Sequence, residues 1–468
     1  MRFPIGLTLL AAVIVMAIVL VIGTIIINPD RSLLAYAHFS HEVISPNADG
    51  VDDIAEFSYE VTRNSAISLV FTNSADGSEY VFRDDEPRSP DEYRVLFSGV
   101  VDGYILPDEV VSGDVLRRLM PEGEYAWTFT VVAKDNEETA EISGTLVVED
   151  ADSPLPEMTT FEISPNIFTP NQDGIADRTM LNIYLTTEAE LTVHLQGEDG
   201  EQIYIPRREE GREDGEPGRH SFDYEGGVDI GADPPTDGEY TVIAEARDAE
   251  GQITQRMATL TIRDGGKPLA EIVGQPTGVD VVFDVIPYDE RYYSEIDNMG
   301  DMLSMPNDPQ SLSNTPITMP VGDLLVFKLS IYNYGAAPIR TAGPWPGTVY
   351  QQRQVAASFG QYEQSGAWRV GIQCETSLQP FPWRWAIGTQ DDMYTETDPS
   401  NGNVYYYLAP EGRTEVWGAI RMTDLVEARN PQACWAGLIH EDVGITLQNN
   451  NVGRREVELA DLSYDDDN

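Results

Sequence analysis

The chain has 468 residues, of which 41% are hydrophobic, so it is long enough for three ordinary domains with apolar cores. It carries 79 acidic and 29 basic residues, a formal net charge of −50. Such a surface repels phosphate backbones, which excludes nucleic acid as a partner, and it attracts divalent cations. The sequence contains no metalloprotease, serine-hydrolase or P-loop motif, and its five histidines are scattered, so we expect no enzymatic activity.

The N-terminal segment, residues 1–37, is predicted to anchor the chain in a membrane. Residues 5–27 form an uncharged apolar run that is long enough to cross a bilayer as one helix. Arg2 precedes the run, so the positive-inside rule keeps the N-terminus cytoplasmic and predicts an uncleaved signal anchor. A cleaved signal peptide is the alternative, because Ala35-Tyr36-Ala37 matches a cleavage site. In both cases the residues from about 38 onward are expected outside the cytoplasm.

After this segment, short alternating β-rich runs separated by Gly, Asp, Asn and Pro predict an all-β fold of sandwiches. Two stretches share the pattern [ST]-P-N-x-D-G-[VI]-x-D; they begin at Ser45 and Thr169, 124 residues apart. Each stretch precedes a strand-like run, so it marks the start of a module. The predicted modules cover residues 38–150 and 157–264, and an acidic, proline-rich linker separates them.

A second repeated feature lies late in each module. Tyr125 and Tyr240 both follow a Gly-Glu pair and both open a strand-like run. A tyrosine at this position is consistent with a tyrosine corner, in which the hydroxyl bonds to the backbone a few residues upstream.

Residues 270–460 form a third, different β-domain, which we call the C-terminal β-domain. It contains six of the seven tryptophans and both cysteines, Cys374 and Cys434. In an oxidising compartment the two cysteines would form one disulfide, and two buried free thiols are the alternative. An acidic tail, residues 461–468, ends the chain.

The two modules resemble the bacterial Ig-like modules of flagellar hook-capping proteins, which also occur in secreted subtilases and gliding-motility proteins. The resemblance rests on the two repeated motifs and on the later Gly123-x-Tyr125 and Gly238-x-Tyr240. It implies immunoglobulin-like sandwiches that act as spacers or interaction modules. More weakly, the C-terminal β-domain resembles adhesion-type β-sandwich domains through the Asn333-Tyr334-Gly335 turn after a long strand.

The repeated motif also concentrates carboxylate and amide oxygens in a tight loop, which is how proteins hold Ca²⁺. The candidate ligands are Asn47, Asp49, Asp53, Asn171, Asp173 and Asp177. The alternative is an Asx-turn, in which these side chains bond to the loop backbone and the glycine adopts a positive φ.

Trp383 and Trp385 alternate along a strand-like run and therefore share one face. Together with Tyr405-Tyr406-Tyr407 they are candidates for an exposed aromatic face that stacks on sugar rings. The alternative is that these rings fill the core of a sandwich.

These patterns predict a single-pass, membrane-anchored surface protein of a prokaryote. Its Ig-like modules would present the C-terminal β-domain to a protein or glycan partner outside the cell, in a structural or adhesive role. The alternative is a carbohydrate-binding or accessory subunit of an extracellular enzyme or envelope complex.

Overall fold

A computed structural model describes residues 13–19, 32–151, 153–207, 215–276, 278–290, 303–306, 316–398 and 401–461. Residues 13–19 are helical. Within the described ranges, every helix is too short or too polar to cross a bilayer. Most of the predicted span 5–27 and nearly all of the predicted acidic tail 461–468 lie outside these ranges.

The prediction of an all-β fold is confirmed. The first ten strands are β1 Leu34–Phe39, β2 Val43–Ile44, β3 Ala55–Val61, β4 Ser65–Asn73, β5 Glu79–Arg88, β6 Asp91–Phe97, β7 Val100–Asp102, β8 Asp114–Leu119, β9 Gly123–Ala133 and β10 Thr139–Val148. The next eight are β11 Met158–Ser164, β12 Ile167–Phe168, β13 Thr179–Leu185, β14 Glu190–Gln196, β15 Gln202–Tyr204, β16 Gly218–Tyr224, β17 Gly238–Arg247 and β18 Ile253–Ile262.

The described part of the C-terminal β-domain contains thirteen further strands. They are β19 Ala270–Val273, β20 Val281–Ile286, β21 Ile317–Pro320, β22 Leu324–Asn333, β23 Ile339–Thr341, β24 Val349–Gln351, β25 Trp368–Cys374, β26 Trp383–Ala386, β27 Tyr394–Thr397, β28 Val404–Leu408, β29 Arg413–Arg421, β30 Gln432–His440 and β31 Val452–Ala460. Short 3₁₀ turns occur at Val228–Ile230, Ala356–Phe359, Gln390–Asp392, Glu427–Arg429 and Leu447–Asn449.

The chain divides into two compact units. Unit 1 contains Met1–Glu162, Asn182–Ser221 and Val242–Ala258, and unit 2 contains Ile163–Leu181, Phe222–Thr241 and Thr259–Asn468. Strands β11, β13, β16, β17 and β18 therefore have residues in both units.

Unit 1 contains a β-sandwich. One sheet has the strand order β1-β3-β6 and the other β2-β10-β9-β4-β5. The alternation of β3, β4 and β9 buries every second side chain between the sheets, as the period of a strand requires. Its core is aromatic: Phe57 packs edge-on against Phe129 at 5.1 Å, and Phe71 stacks on Phe97 at 4.8 Å.

Outside this sandwich, unit 1 also contains a sheet in which the β7–β8 pair joins the start of β18. Ile253, Thr254 and Gln255 pair with Arg117, Val115 and Asp114 of β8. The buried side chain of Gln252 accepts a hydrogen bond from the Leu119 amide at 3.2 Å and donates to Asp248 at 2.8 Å. The backbone at this sheet edge is therefore satisfied by pairing, not left open.

Unit 2 contains two further sheets around one large core. Their strand orders are β19-β22-β29-β24 and β21-β31-β30-β25-β23-β28-β27. β22, the central strand of the first sheet, is buried over nearly its whole length, which explains its almost continuous apolar sequence. A turn follows at Asn333, whose buried amide donates to the carbonyls of Ala337, Leu408 and Ala409.

Unit 2 also buries a charged triad. Glu441, 4% exposed, accepts from Arg384 at 2.8 Å and lies 3.4 Å from Nη1 of the fully buried Arg369. Arg369 donates its other N–H groups to the carbonyls of Ala342 and Tyr362, both at 2.6 Å. Buried charges are stable only with such partners. The triad therefore fixes the segments around Ala342 and Tyr362 against β25.

Candidate functional site

The two motif copies form the same loop. We call residues 45–53 the first motif loop and residues 169–177 the second motif loop. Both have positive φ angles at the same three motif positions: Ala48 (59°), Gly50 (89°) and Asp52 (54°) in the first, and Gln172 (56°), Gly174 (84°) and Ala176 (53°) in the second. The shared sequence therefore specifies a shared backbone.

In the first motif loop, Asn47 Oδ1 accepts a hydrogen bond from the Asp49 amide at 3.0 Å. Asp49 Oδ1 accepts from Val51 at 2.8 Å, and Asp53 accepts from the Gly50 amide at 2.6 Å. The second motif loop repeats this pattern: Asn171 accepts from the Asp173 amide, Asp173 from the Ile175 amide, and Asp177 from the Gly174 amide. These are Asx-turns, which explain the motif by backbone chemistry alone.

The structure thus brings each predicted set of three oxygen-bearing side chains into one loop. Within the described ranges, however, no group of three or more His, Cys, Asp or Glu side chains is placed to hold a metal ion. Binding of Ca²⁺ therefore stays a hypothesis beside the Asx-turn interpretation, and a metal titration decides between them.

The surroundings of the two loops differ sharply. Asn47 and Asp49 are exposed, and a Cβ added to Gly50 would meet nothing within 4 Å. Asn171 and Asp173 are only 2% and 5% exposed. A Cβ on Gly174 would lie 2.0 Å from the Ser365 carbonyl oxygen. The second motif loop is therefore packed against the C-terminal β-domain.

Arg340 and Gly366 make this packing possible. Arg340, 4% exposed, donates from Nε to the Asp173 carbonyl oxygen at 2.6 Å and from Nη2 to the Ser365 carbonyl. A Cβ on Gly366 would lie 2.1 Å from the carbonyl carbon of Asp173, so only glycine permits this approach of the two backbones.

Two rings complete the contact. The Tyr407 hydroxyl donates to Asp173 Oδ2 at 2.8 Å, and His440 Nε2 donates to the Gln172 carbonyl at 2.8 Å. His440 also stacks on Trp368 at 4.4 Å between ring centroids. Main-chain and side-chain acceptors of the loop are thus both satisfied by side chains of β28 and β30.

Burial perturbs the titration of this cluster. Burial is the main cause that raises the pKa of Asp177 to about 7, and the nearby charge of Asp173 adds to it. Hydrogen bonds from backbone N–H groups favour the charged form of Asp177 and partly oppose this rise. Burial also raises the pKa of Asp173. Burial lowers the pKa of His440 to about 4, so its ring is neutral near pH 7.

The prediction that Trp383 and Trp385 form an exposed binding face is wrong. They share one face of β26, as predicted, but that face points into the core: the two side chains are 2% and 0% exposed. Trp385 packs edge-on against Phe327 at 4.6 Å and donates its indole N–H to the Thr348 carbonyl at 3.0 Å. Rings this deeply buried fill the sandwich, which was the alternative.

Other aromatic side chains of unit 2 do reach a surface cavity, which has a volume of about 620 Å³. Trp345, Tyr405 and Tyr406 line it together with four amide residues, Gln361, Gln364, Gln390 and Asn403. Trp345 and Tyr406 meet edge-on at 5.0 Å, and the Arg340 guanidinium lies 5.3 Å from the Tyr405 ring centre. Gly174 of the second motif loop also lines this cavity.

Sequence reasoning found the run Tyr405–Tyr407 but missed Arg340, Trp345 and His440. Arg340 has one available signal: it interrupts a mostly apolar stretch, residues 336–342, in a chain with few basic residues. Trp345 and His440 have none, because their partners are distant in sequence.

The structure joins Cys374 and Cys434 in a disulfide. They face each other directly in the β25–β30 pair, with their Cα atoms 4.0 Å apart. The hydroxyls of Tyr125 and Tyr240 donate to the carbonyls of Pro121 and Thr236, each four residues upstream, at 2.6 and 2.8 Å. Both expected tyrosine corners are therefore confirmed.

No protein-family model matches this chain, and no curated protein matches it in sequence. Among solved structures, the native conformation of E. coli alpha-2-macroglobulin is similar over 92% of this chain, with 11% identity and a TM-score of 0.18. This chain covers only 23% of the length of that protein.

Two other similar structures come from modular proteins. One is a tetra-tandem repeat in the extending region of a large adhesion protein, with 11% identity and a TM-score of 0.15. The match spans 91% of this chain and 75% of that structure. The other contains fibronectin(III)-like modules of CbhA from Clostridium thermocellum, with 12% identity and a TM-score of 0.16. The match spans 48% of this chain and 93% of that structure. Because these TM-scores are low, the all-β class of this chain rests on its own strands.

Proposed function

We propose that this chain is an extracellular structural or adhesion protein whose N-terminal β-sandwich modules present the C-terminal β-domain to a partner. The partner would be a protein or a glycan outside the cell, and the role is one of binding, not catalysis. The N-terminal apolar run at residues 5–27 would anchor the chain in a prokaryotic cell membrane.

One observation carries this proposal: the second motif loop is fixed to the C-terminal β-domain by buried hydrogen bonds. Contacts between domains of one chain usually allow relative motion unless they are well packed. Here Arg340 and His440 bond to main-chain carbonyls of the loop, and Gly366 lets the two backbones touch. These contacts fix the second motif loop to the C-terminal β-domain within unit 2, so the loop and the presented domain form one packed body.

The disulfide and the charge support the proposed location. Disulfides persist in oxidising compartments and are rare in the cytosol of mesophiles. The formal charge of −50 keeps an exposed protein soluble and limits nonspecific association.

Membrane attachment can be tested with the full chain in a prokaryotic host. We expect it in the membrane fraction, and we expect protease added to intact cells to degrade residues beyond 38. An arginine near the centre of a spanning helix costs about 2.5–3.5 kcal/mol. Val13→Arg, Val15→Arg and Val19→Arg together should therefore release the chain, whereas alanine at the same three positions should not. A wild-type chain that is cytoplasmic or protected from protease would refute the proposal.

Presentation can be tested by photo-crosslinking on intact cells. A benzophenone amino acid would replace either Tyr362, 68% exposed in the C-terminal β-domain, or Tyr204, 65% exposed in β15. We expect one discrete crosslinked species from position 362 and none from position 204. Equal crosslinking at both positions would contradict a specific role for the C-terminal β-domain.

A second candidate function, a carbohydrate-binding or accessory subunit of an extracellular complex, is favoured by the cavity beside Trp345, which is argued further below.

A further inference from the structure

We infer that the cavity between Arg340, Trp345 and Tyr406 is a binding site for a neutral carbohydrate. This inference rests on the proposed function and names its partner class. The cavity volume of about 620 Å³ falls within the range of about 300–1,000 Å³ that ligand sites occupy in proteins.

The charge of the lining selects a neutral ligand. The chain has 79 acidic residues among 468, yet none of the described residues that line the cavity is acidic. Its one charged lining residue, Arg340, already donates to Asp173, Gln364 and Ser365. The guanidinium is therefore committed to the fold, and the cavity offers neither a carboxylate for a cation nor a free cation for an anion.

The polar groups of the lining match hydroxyl-rich molecules. The side chains of Trp345, Gln361 and Gln390 make no hydrogen bond with any other residue that the structure describes. An amide both donates and accepts, as each sugar hydroxyl does, whereas the indole N–H only donates. A ligand with alternating donors and acceptors would therefore satisfy these groups better than an apolar one.

The aromatic rings match the other face of a sugar. Trp345, Tyr405 and Tyr406 are all partly exposed at the cavity, in contrast to the buried Trp383 and Trp385. The edge-to-face contact of Trp345 with Tyr406 holds both rings in place before a ligand arrives. Rings fixed in advance lose little side-chain entropy on binding, which favours affinity.

The test is a titration of the purified full chain with cellotetraose, maltotetraose, mannotetraose and N,N′,N″,N‴-tetraacetylchitotetraose, followed by tryptophan fluorescence and calorimetry. We expect at least one of these sugars to bind saturably with a Kd below about 10 mM, a limit that includes weak sites. Tetragalacturonate, a charged counterpart, should bind more weakly. Binding of none of the neutral sugars, or tighter binding of tetragalacturonate, would overturn the inference.

Three variants locate the site. Trp345→Ala should weaken binding about tenfold or more, since anchor aromatics dominate binding energy. Gln361→Ala tests the polar side and should weaken it about threefold or more. Trp435→Ala is the matched control, because Trp435 is also half-buried but packs under Arg454 and does not line the cavity.

Binding that survives both Trp345→Ala and Gln361→Ala would overturn the assignment of this cavity. If circular dichroism shows that Trp345→Ala is unfolded, Gln361→Ala decides the question. These titrations do not depend on where the chain resides in a cell. A surface-exposed chain that binds no neutral sugar would therefore refute this inference and leave the proposed function standing.

Discussion

Arg340 donates a hydrogen bond from Nε to the carbonyl oxygen of Asp173 at 2.6 Å, across 167 positions of sequence. This bond joins β23 of the C-terminal β-domain to the second motif loop, whereas the first motif loop, which has nearly the same sequence, is exposed. The same local structure thus has two different roles, and the difference comes from the partner that only one copy has.

Replacing Arg340 by alanine should strongly destabilise unit 2. The variant leaves the carbonyls of Asp173 and Ser365 without their donor, and each buried unsatisfied group costs about 1–3 kcal/mol. Urea unfolding followed by tryptophan fluorescence reports on this unit, because six of seven tryptophans lie in residues 270–460. Arg353→Ala, which removes an arginine side chain that is 84% exposed, should change stability by less than about 0.5 kcal/mol. Equal effects would show that the buried contact is dispensable.

Gly50→Ala and Gly174→Ala form a matched pair at the same motif position. Both place an L-residue at positive φ, 89° and 84°, which costs about 1–2 kcal/mol. Gly174→Ala must in addition displace the Ser365 carbonyl, so we expect a total loss of about 3 kcal/mol or more. Denaturant unfolding of the two variants measures the difference. Similar losses would mean that the second motif loop is not packed as described.

The pH dependence of stability should separate into two opposing contributions. Asp177, with its pKa raised to about 7, keeps its proton when folded but loses it when unfolded, so its contribution falls as pH rises from about 4 to 7. His440, with its pKa lowered to about 4, gains a proton only when unfolded, so its contribution rises with pH between about 4 and 6.5.

Single variants should expose each contribution. Relative to wild type, Asp177→Asn should become more stable as pH rises from 4 to 6.5, and His440→Gln should become less stable over the same window. Thermal melts at half-unit pH intervals measure both slopes. If neither variant changes the slope, these two groups do not titrate with the assigned shifts.

Removing the disulfide with Cys374→Ala and Cys434→Ala together should lower the stability of unit 2 by about 4 kcal/mol, from the chain-entropy relation for a loop of this size. The two cysteines are 60 positions apart, so the bond restricts a long stretch of the unfolded chain. Unfolding of the wild type in reducing and oxidising buffer provides the comparison. The double variant should be insensitive to reductant, and a reductant-sensitive double variant would refute this explanation.

Calcium should have little effect on the first motif loop, because Asn47, Asp49 and Asp53 already accept backbone hydrogen bonds. We expect the same unfolding midpoint for the full chain in excess Ca²⁺ and in chelator. A midpoint that rises with Ca²⁺, and no longer does so in Asp49→Ala, would instead establish the metal site.

Local features of this protein follow from sequence because they depend on neighbouring residues. The alternation of β3 and β9, the corners at Tyr125 and Tyr240 and the two Asx-turn loops are all read from residues within a few positions. A strand period, a corner and a positive-φ glycine are set by backbone sterics and short hydrogen bonds. The all-β class and the repeat of the motif were therefore predictable.

The tertiary structure alone decided which surfaces are buried. Trp383 and Trp385 share a face, as the alternation predicts, but alternation does not say whether that face meets solvent or a second sheet. The two motif loops likewise differ in burial despite near-identical sequences, because only the second meets Arg340, Tyr407 and His440. Contacts between residues that are far apart in sequence leave no local pattern, and such contacts form both the buried loop and the cavity beside Trp345.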